Sequence, residues 1–265
     1  MHWWLLTYLV LGLFVGFFAG LLGIGGGIII VPLLLMVFGM EHFPDDRVLH
    51  LALGTSIASI VFTSMSTVWA HQRHHTVRWD ILRKVTPGVI GGTLLGAFVA
   101  NALPSRYLAI FFIAFAFYSA IQMWLDIKPA PTRQLPGWMG MTAAALLVGA
   151  LSSLIGVGGG FLAIPLLTMC NVPMLNAIGT SAAIGLPLAL SGTLGYIYTG
   201  LGKDHLPALS LGYVYLPALA GIVIGTFVTV PYGARAAHRV PVTTLKRIFS
   251  VVLIVLATKM LASLF

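Results

Sequence analysis

The sequence predicts an all-α, polytopic membrane protein of about ten helical segments, arranged as two inverted-topology repeats of five. Three observations predict this. Hydrophobic types make up 59% of the 265 residues and Asp, Glu, Lys and Arg only 8%, against about 25% charged residues in an ordinary soluble domain. Such a surface needs the bilayer as its solvent. Apolar segments follow one another along the chain with short polar breaks. A set of short motifs also occurs twice, in the same order, in the two halves.

The segments fall at 3–22, 27–39, 48–70, 81–100 and 106–125 in the first half. The second half has 138–155, 160–170, 175–200, 207–230 and 243–265. A crossing helix uses about 20 apolar residues, and all but the second and seventh segments approach that length. The first segment has neither the basic start nor the A-x-A site of a signal peptide, and it has a counterpart mid-chain. Three prolines in 127–137 exclude a helix there. The chain therefore divides into a first repeat (1–126), a Pro-rich cytoplasmic linker (127–137) and a second repeat (138–265).

The repeat rests on six landmarks. Gly23-Ile-Gly-Gly-Gly27 returns as Gly156-Val-Gly-Gly-Gly160, 133 residues on, each followed by Pro-Leu-Leu at Pro32 and Pro165. Val15-Gly16 matches Val148-Gly149, and Leu53-Gly-Thr-Ser56 matches Ile178-Gly-Thr-Ser181. Gly92-x-x-x-Gly96 matches Gly221-x-x-x-Gly225, and Pro104 with Leu108 matches Pro241 with Leu245. Five segments per copy is an odd number, so the second copy enters the membrane upside down, the architecture of many secondary transporters.

Ten basic residues (Arg73, Arg78, Arg83, Lys84, Lys128, Arg133, Arg235, Arg239, Lys246 and Arg247) fall on one side if segments alternate. Four (Arg47, Arg106, Lys203 and Lys259) fall on the other. The positive-inside rule then puts both termini outside. This distribution makes the net charge of +8 a topology signal and not a nucleic-acid footprint. The parity holds whether segments one and two cross fully or form a re-entrant hairpin.

The paired glycine motifs carry the strongest functional signal. Segments two and seven are too short to cross, so each reads as a half-helix starting at a Gly-rich break at membrane depth. A helix start presents free N–H groups and a positive dipole end, which suits an anion. Irregular backbone at that depth is tolerated where it is buried in protein or lines a cavity. The bland alternative is that the glycines only let helices cross closely. The candidate substrate-binding residues are Gly25, Gly26, Gly27, Thr55 and Ser56 in the first repeat. Gly158, Gly159, Gly160, Asn176, Thr180 and Ser181 are their counterparts in the second. Ser56, Ser59, Thr63 and Ser66 share one helix face. Thr63 and Ser66, its lower rungs, read as packing.

No carboxylate and no Lys or Arg is expected at the midplane, which disfavours a cation pump and leaves an anion to neutral donors and helix ends. A membrane potential, negative inside, drives a monovalent anion outward by roughly 2.3 kcal/mol per 100 mV. Cys170, the one cysteine, reads as packing. His71, His74 and His75 lack a further ligand, so no metal site is expected. No nucleophile–base arrangement, phosphate loop or cofactor motif is present, which argues against an enzyme. The expected partners are a small anion and the lipid bilayer, without nucleic acid. The choice between monomer and homodimer stays open. A passive anion channel with the same lining and a non-transporting membrane scaffold are the alternatives.

The duplicated G-[IV]-G-G-G…P-L-L and [LI]-G-T-S elements, in a chain of this length, resemble the TauE/SafE family of sulfite exporters and toluene-sulfonate uptake permeases. The resemblance covers both halves. It implies transport of sulfite or sulfur-containing organic anions, often export, across a bacterial cytoplasmic membrane.

Overall fold

The computed structural model describes residues 2–22, 27–44, 46–73, 75–125, 134–204, 206–237 and 242–263. Gly25, Gly26 and the linker residues 127–133 lie outside the described residues. Its first five helices are α1 (His2–Leu22), α2 (Gly27–Met40), α3 (Val48–Arg73), α4 (Trp79–Ala102) and α5 (Ser105–Trp124). Then come α6 (Trp138–Ile155), α7 (Gly160–Met169), α8 (Met174–Gly200), α9 (Leu216–Ala237) and α10 (Val242–Ala262). Six of these contain stretches long and apolar enough to cross a membrane. With outward-facing apolar side chains such as Leu147, Leu194 and Phe227 exposed on the rim, the chain is a multi-pass membrane protein.

The ninth segment differs from expectation. Its apolar run begins near 207, but the helix starts only at Leu216. Between them lies an antiparallel hairpin, β1 (Ser210–Leu211) and β2 (Val214–Tyr215), with Ser210 opposite Tyr215 and Leu211 opposite Val214. Leu209 at φ 67° and Gly212 at φ 55° sit in the left-handed region, which a right-handed helix cannot contain.

The short helices are as short as expected. α2 has 14 residues and α7 has 10, about 21 and 15 Å of rise against a hydrocarbon core of about 30 Å. Each abuts a long helix of its own half, α2 against α3 and α7 against α8. The long helices α3 and α8 pack on each other in antiparallel fashion. A Cβ at Gly192 would lie 2.9 Å from Ile57, and one at Gly185 would lie 3.0 Å from Ser64. Around this pair, α1 packs along α9, α4 along α6 and α5 against α10. The first two contacts are backbone-close, because a Cβ at Gly92 of α4 would stand 2.1 Å from the Leu146 carbonyl of α6. Small residues allow that approach, which is how helices associate in lipid without a hydrophobic force between them.

Candidate functional site at the two chain breaks

α6 ends where Gly156 adopts φ 69°, ψ 28°, its N–H turning back to the Ser152 and Ser153 carbonyls. Glycine takes this left-handed conformation without steric cost. The chain resumes as α7 at Gly160, and no side chain caps that start. The first bond closing the helix runs from the Ala163 N–H to the Gly159 carbonyl, 2.8 Å. The N–H groups of Gly160, Phe161 and Leu162 therefore have no acceptor among the described residues. The approach is buried, with Val157 at 2% exposure. Unpaired amides in such a place are expensive unless a ligand takes them.

The second break touches the first. α2 begins at Gly27, where a Cβ would lie 2.6 Å from the Gly156 carbonyl oxygen and 3.2 Å from the Val157 Cα. Only a bare Cα permits this approach. The Ser56 hydroxyl lies between them, donating to the Gly156 carbonyl at 2.8 Å and lying 3.4 Å from the Gly27 carbonyl. Ile60 flanks both breaks, 3.0 Å from a Cβ at Gly27 and 3.3 Å from one at Gly158. A Cβ at Gly159 would lie 3.2 Å from Leu188 and 3.3 Å from Ile184. Ile60 is near the middle of the 26-residue α3, and Ile184 and Leu188 are near the middle of the 27-residue α8. The breaks thus meet at mid-length of the two central helices, and the side chains recorded against them are neutral.

The Gly-Thr-Ser elements are used differently. A Cβ at Gly54 would stand 2.3 Å from the Tyr213 carbonyl oxygen, and one at Gly179 would stand 2.4 Å from Thr76 Oγ1. The fully buried Thr55 accepts the Tyr215 N–H at 3.0 Å, and the equally buried Thr180 accepts the Arg78 N–H at 2.9 Å. Each element thus anchors the segment that leads into a helix, 213–215 before α9 and 76–78 before α4. The Asn176 amide donates to the Thr76 carbonyl at 3.2 Å, and the Ser181 hydroxyl donates to Ile178 in its own helix at 2.9 Å. Of the sequence candidates, the structure brings Gly27, Ser56 and the 158–160 break together. No hydrogen bond among the described residues joins Thr55, Asn176, Thr180 or Ser181 to either break. Ser59, Thr63, Ser66 and Thr67 donate to carbonyls within α3.

Sequence reasoning missed the two anchored segments and the serines that close α6. The hydroxyls of Ser152 and Ser153 are fully buried and have no hydrogen-bond partner among the described residues. Their position one turn before the second glycine motif was the available signal. Tyr215 also packs with Phe38, Phe43 and Tyr8, and the Tyr8 hydroxyl donates to the Glu41 carboxylate. Burial pushes the Glu41 carboxyl above the usual carboxylate range, and the Tyr8 hydrogen bond pulls it part of the way back.

A family model described as sulfite exporter TauE/SafE matches residues 8–260. A probable membrane transporter protein of Haemophilus influenzae is 36% identical over 262 residues, covering 98% of this chain and 99% of that one. Another from Xylella fastidiosa is 34% identical over 195 residues, covering 70% and 69%. A third, from Methanocaldococcus jannaschii, is 28% identical over 230 residues, covering 84% and 80%. No solved structure matches the chain.

Proposed function

The chain belongs to the TauE/SafE family of membrane transporters, and from that premise we propose that it is a secondary transporter exporting small sulfur-containing anions such as sulfite or organic sulfonates. The observation that carries the reading is the meeting of the two glycine breaks at mid-length of α3 and α8, with the α7 start uncapped and its amides unpaired. Free helix N-termini hold anionic groups in transporters built from broken helices. Neutral donors hold an anion there without a fixed counter-charge, so an outward-driving potential is sufficient to release it. The family name supports the sulfur-containing class. Gly25 and Gly26 join Gly27 in this reading as the first break. Thr55, Asn176 and Thr180 anchor the segments that lead into α9 and α4, and Ser181 bonds within α8.

Two inverted repeats account for the helix pairing. Advancing each helix by five, and counting round from ten, turns α1 on α9 into α6 on α4. The same shift leaves α3 on α8 and α5 on α10 unchanged. The anchors at Thr55 and Thr180 exchange in the same way. Alternating access then follows from rocking one repeat against the other about the shared breaks.

The test is flux through the purified protein in vesicles. Sulfite and short alkanesulfonates are expected to show saturable counterflow, with net movement following an imposed potential. Gly159→Leu is expected to abolish it while the protein remains monodisperse, because the added side chain enters between Leu188 and Ile184. Flux that never saturates points to a channel, and normal counterflow in Gly159→Leu removes the site.

A further inference from the structure

We infer that Ser152 is a ligand-binding residue, its hydroxyl joining the free amides at the start of α7 in holding one singly charged oxyanion head. The inference rests on the transport reading above. Ser152 is fully buried, and its hydroxyl has no partner among the described residues. The rule in this protein is otherwise: helix hydroxyls such as Ser119, Thr168 and Thr193 donate to a carbonyl of their own helix. A buried hydroxyl left unpaired costs free energy unless something from outside the fold satisfies it.

Its direction follows from the helix. Ser152 lies eleven residues beyond Met141, which returns it to the same side of α6. On that side Met141 belongs to a buried cluster that joins Ala163 and Leu167 of α7 and Leu188 of α8 with Ile81, Val85 and Val89 of α4. The Ser152 carbonyl also accepts the Val157 N–H at 3.1 Å, so the residue sits at the foot of the break itself. Two features, an uncapped helix start and an unpaired hydroxyl, thus belong to the same chain break. Ser153 is the built-in contrast. It is equally buried and equally unpaired, but it faces α4, where its Cβ would lie 2.7 Å from a Cβ at Gly96.

The position aligned with Ser152 in the first repeat carries no hydroxyl. Across the 133-residue offset that aligns the glycine motifs, Ser152 corresponds to Ala19. Two breaks related by a repeat are therefore chemically unequal, and the anion is held by the second. With only neutral donors among the described residues of the site, a head with one charge, such as a sulfonate, bisulfite or carboxylate, fits better than a dianion. Each further unpaired charge in a buried site raises the desolvation cost.

The experiment uses the full chain in vesicles and measures the concentration dependence of counterflow for sulfite and methanesulfonate. Removing one hydrogen bond to a charged group in a buried site weakens binding by roughly tenfold or more. Ser152→Ala is expected to raise KM by about that factor, whereas Ser152→Thr, which keeps the hydroxyl, is expected to stay near the wild-type KM. Ser153→Ala is expected to leave KM as it is. An unchanged KM in Ser152→Ala overturns the inference, as does an equal rise in Ser153→Ala, which would mark a packing effect. If the wild-type protein shows no saturable flux with either probe, the transport reading fails first and this inference falls with it.

Discussion

Glu41 sits in the turn after α2, beneath an aromatic cluster that also holds Tyr215. Tyr8 and Tyr215 are the ionisable groups facing it from α1 and β2. Burial raises its pKa, so the native chain binds this proton more tightly than the unfolded chain does. Its contribution to stability is therefore full at low pH. That contribution declines as the pH rises from the ordinary glutamate range through the raised native value. Gln imitates the protonated side chain and still accepts from Tyr8. Glu41→Gln is expected to melt at a higher temperature than the wild type at pH 8, with the difference vanishing near pH 4, as read by thermal unfolding in detergent. A difference that grows on acidification would contradict the assignment. Gly156 and Gly27 show the other kind of residue-level demand, one needing a left-handed backbone and the other a bare Cα.

Among the helices, the glycines of α4 separate two roles that look identical in sequence. A Cβ at Gly92 would collide with the Leu146 carbonyl at 2.1 Å, whereas one at Gly91 would meet nothing within 4 Å. Gly92→Leu must force α4 from α6, and overpacking of this kind costs about 1–3 kcal/mol or more. A clear fall in melting temperature is expected for that variant, and none for Gly91→Ala, which also gains helix propensity. Equal effects would mean that the close crossing is not what holds the two helices. The same distinction applies to α7. Its ten residues cannot cross a membrane, so its stability comes from packing on α8, and its uncapped start is left available for a ligand.

For the molecule as a whole, the central question is which way it faces. The basic residues assigned to one side outnumber those on the other by ten to four under alternating topology, and both termini are predicted to lie outside. A phosphatase fused after the last helix is expected to be active in the periplasm, and a green fluorescent protein at the same place is expected to stay dark. The reverse pattern would invert every inward and outward statement in the proposal. It would leave the contact between the breaks untouched.

The all-α membrane class, the short second and seventh helices and the break before Gly160 could all be read from the residues. They follow from local properties: apolar length, glycine clusters and proline placement. The hairpin at 210–215 could not be read, because its apolar residues suit either a helix or a strand and only the turn angles at Leu209 and Gly212 decide. The candidate site was half legible. The glycine motifs marked where the chain stops being helical, but the functions of Thr55 and Thr180 depend on which distant N–H reaches them, Tyr215 across 160 positions and Arg78 across 102. Ser152 is the sharpest case. By composition it is one more serine in a membrane helix, and what distinguishes it is a missing partner. The sequence by itself determined where the backbone would break and how little charge would surround the breaks, since both depend on neighbours along the chain. Only the tertiary structure decided that the two breaks touch and which hydroxyls near them are left unpaired, because hydrogen-bond satisfaction is set by groups brought together across the fold.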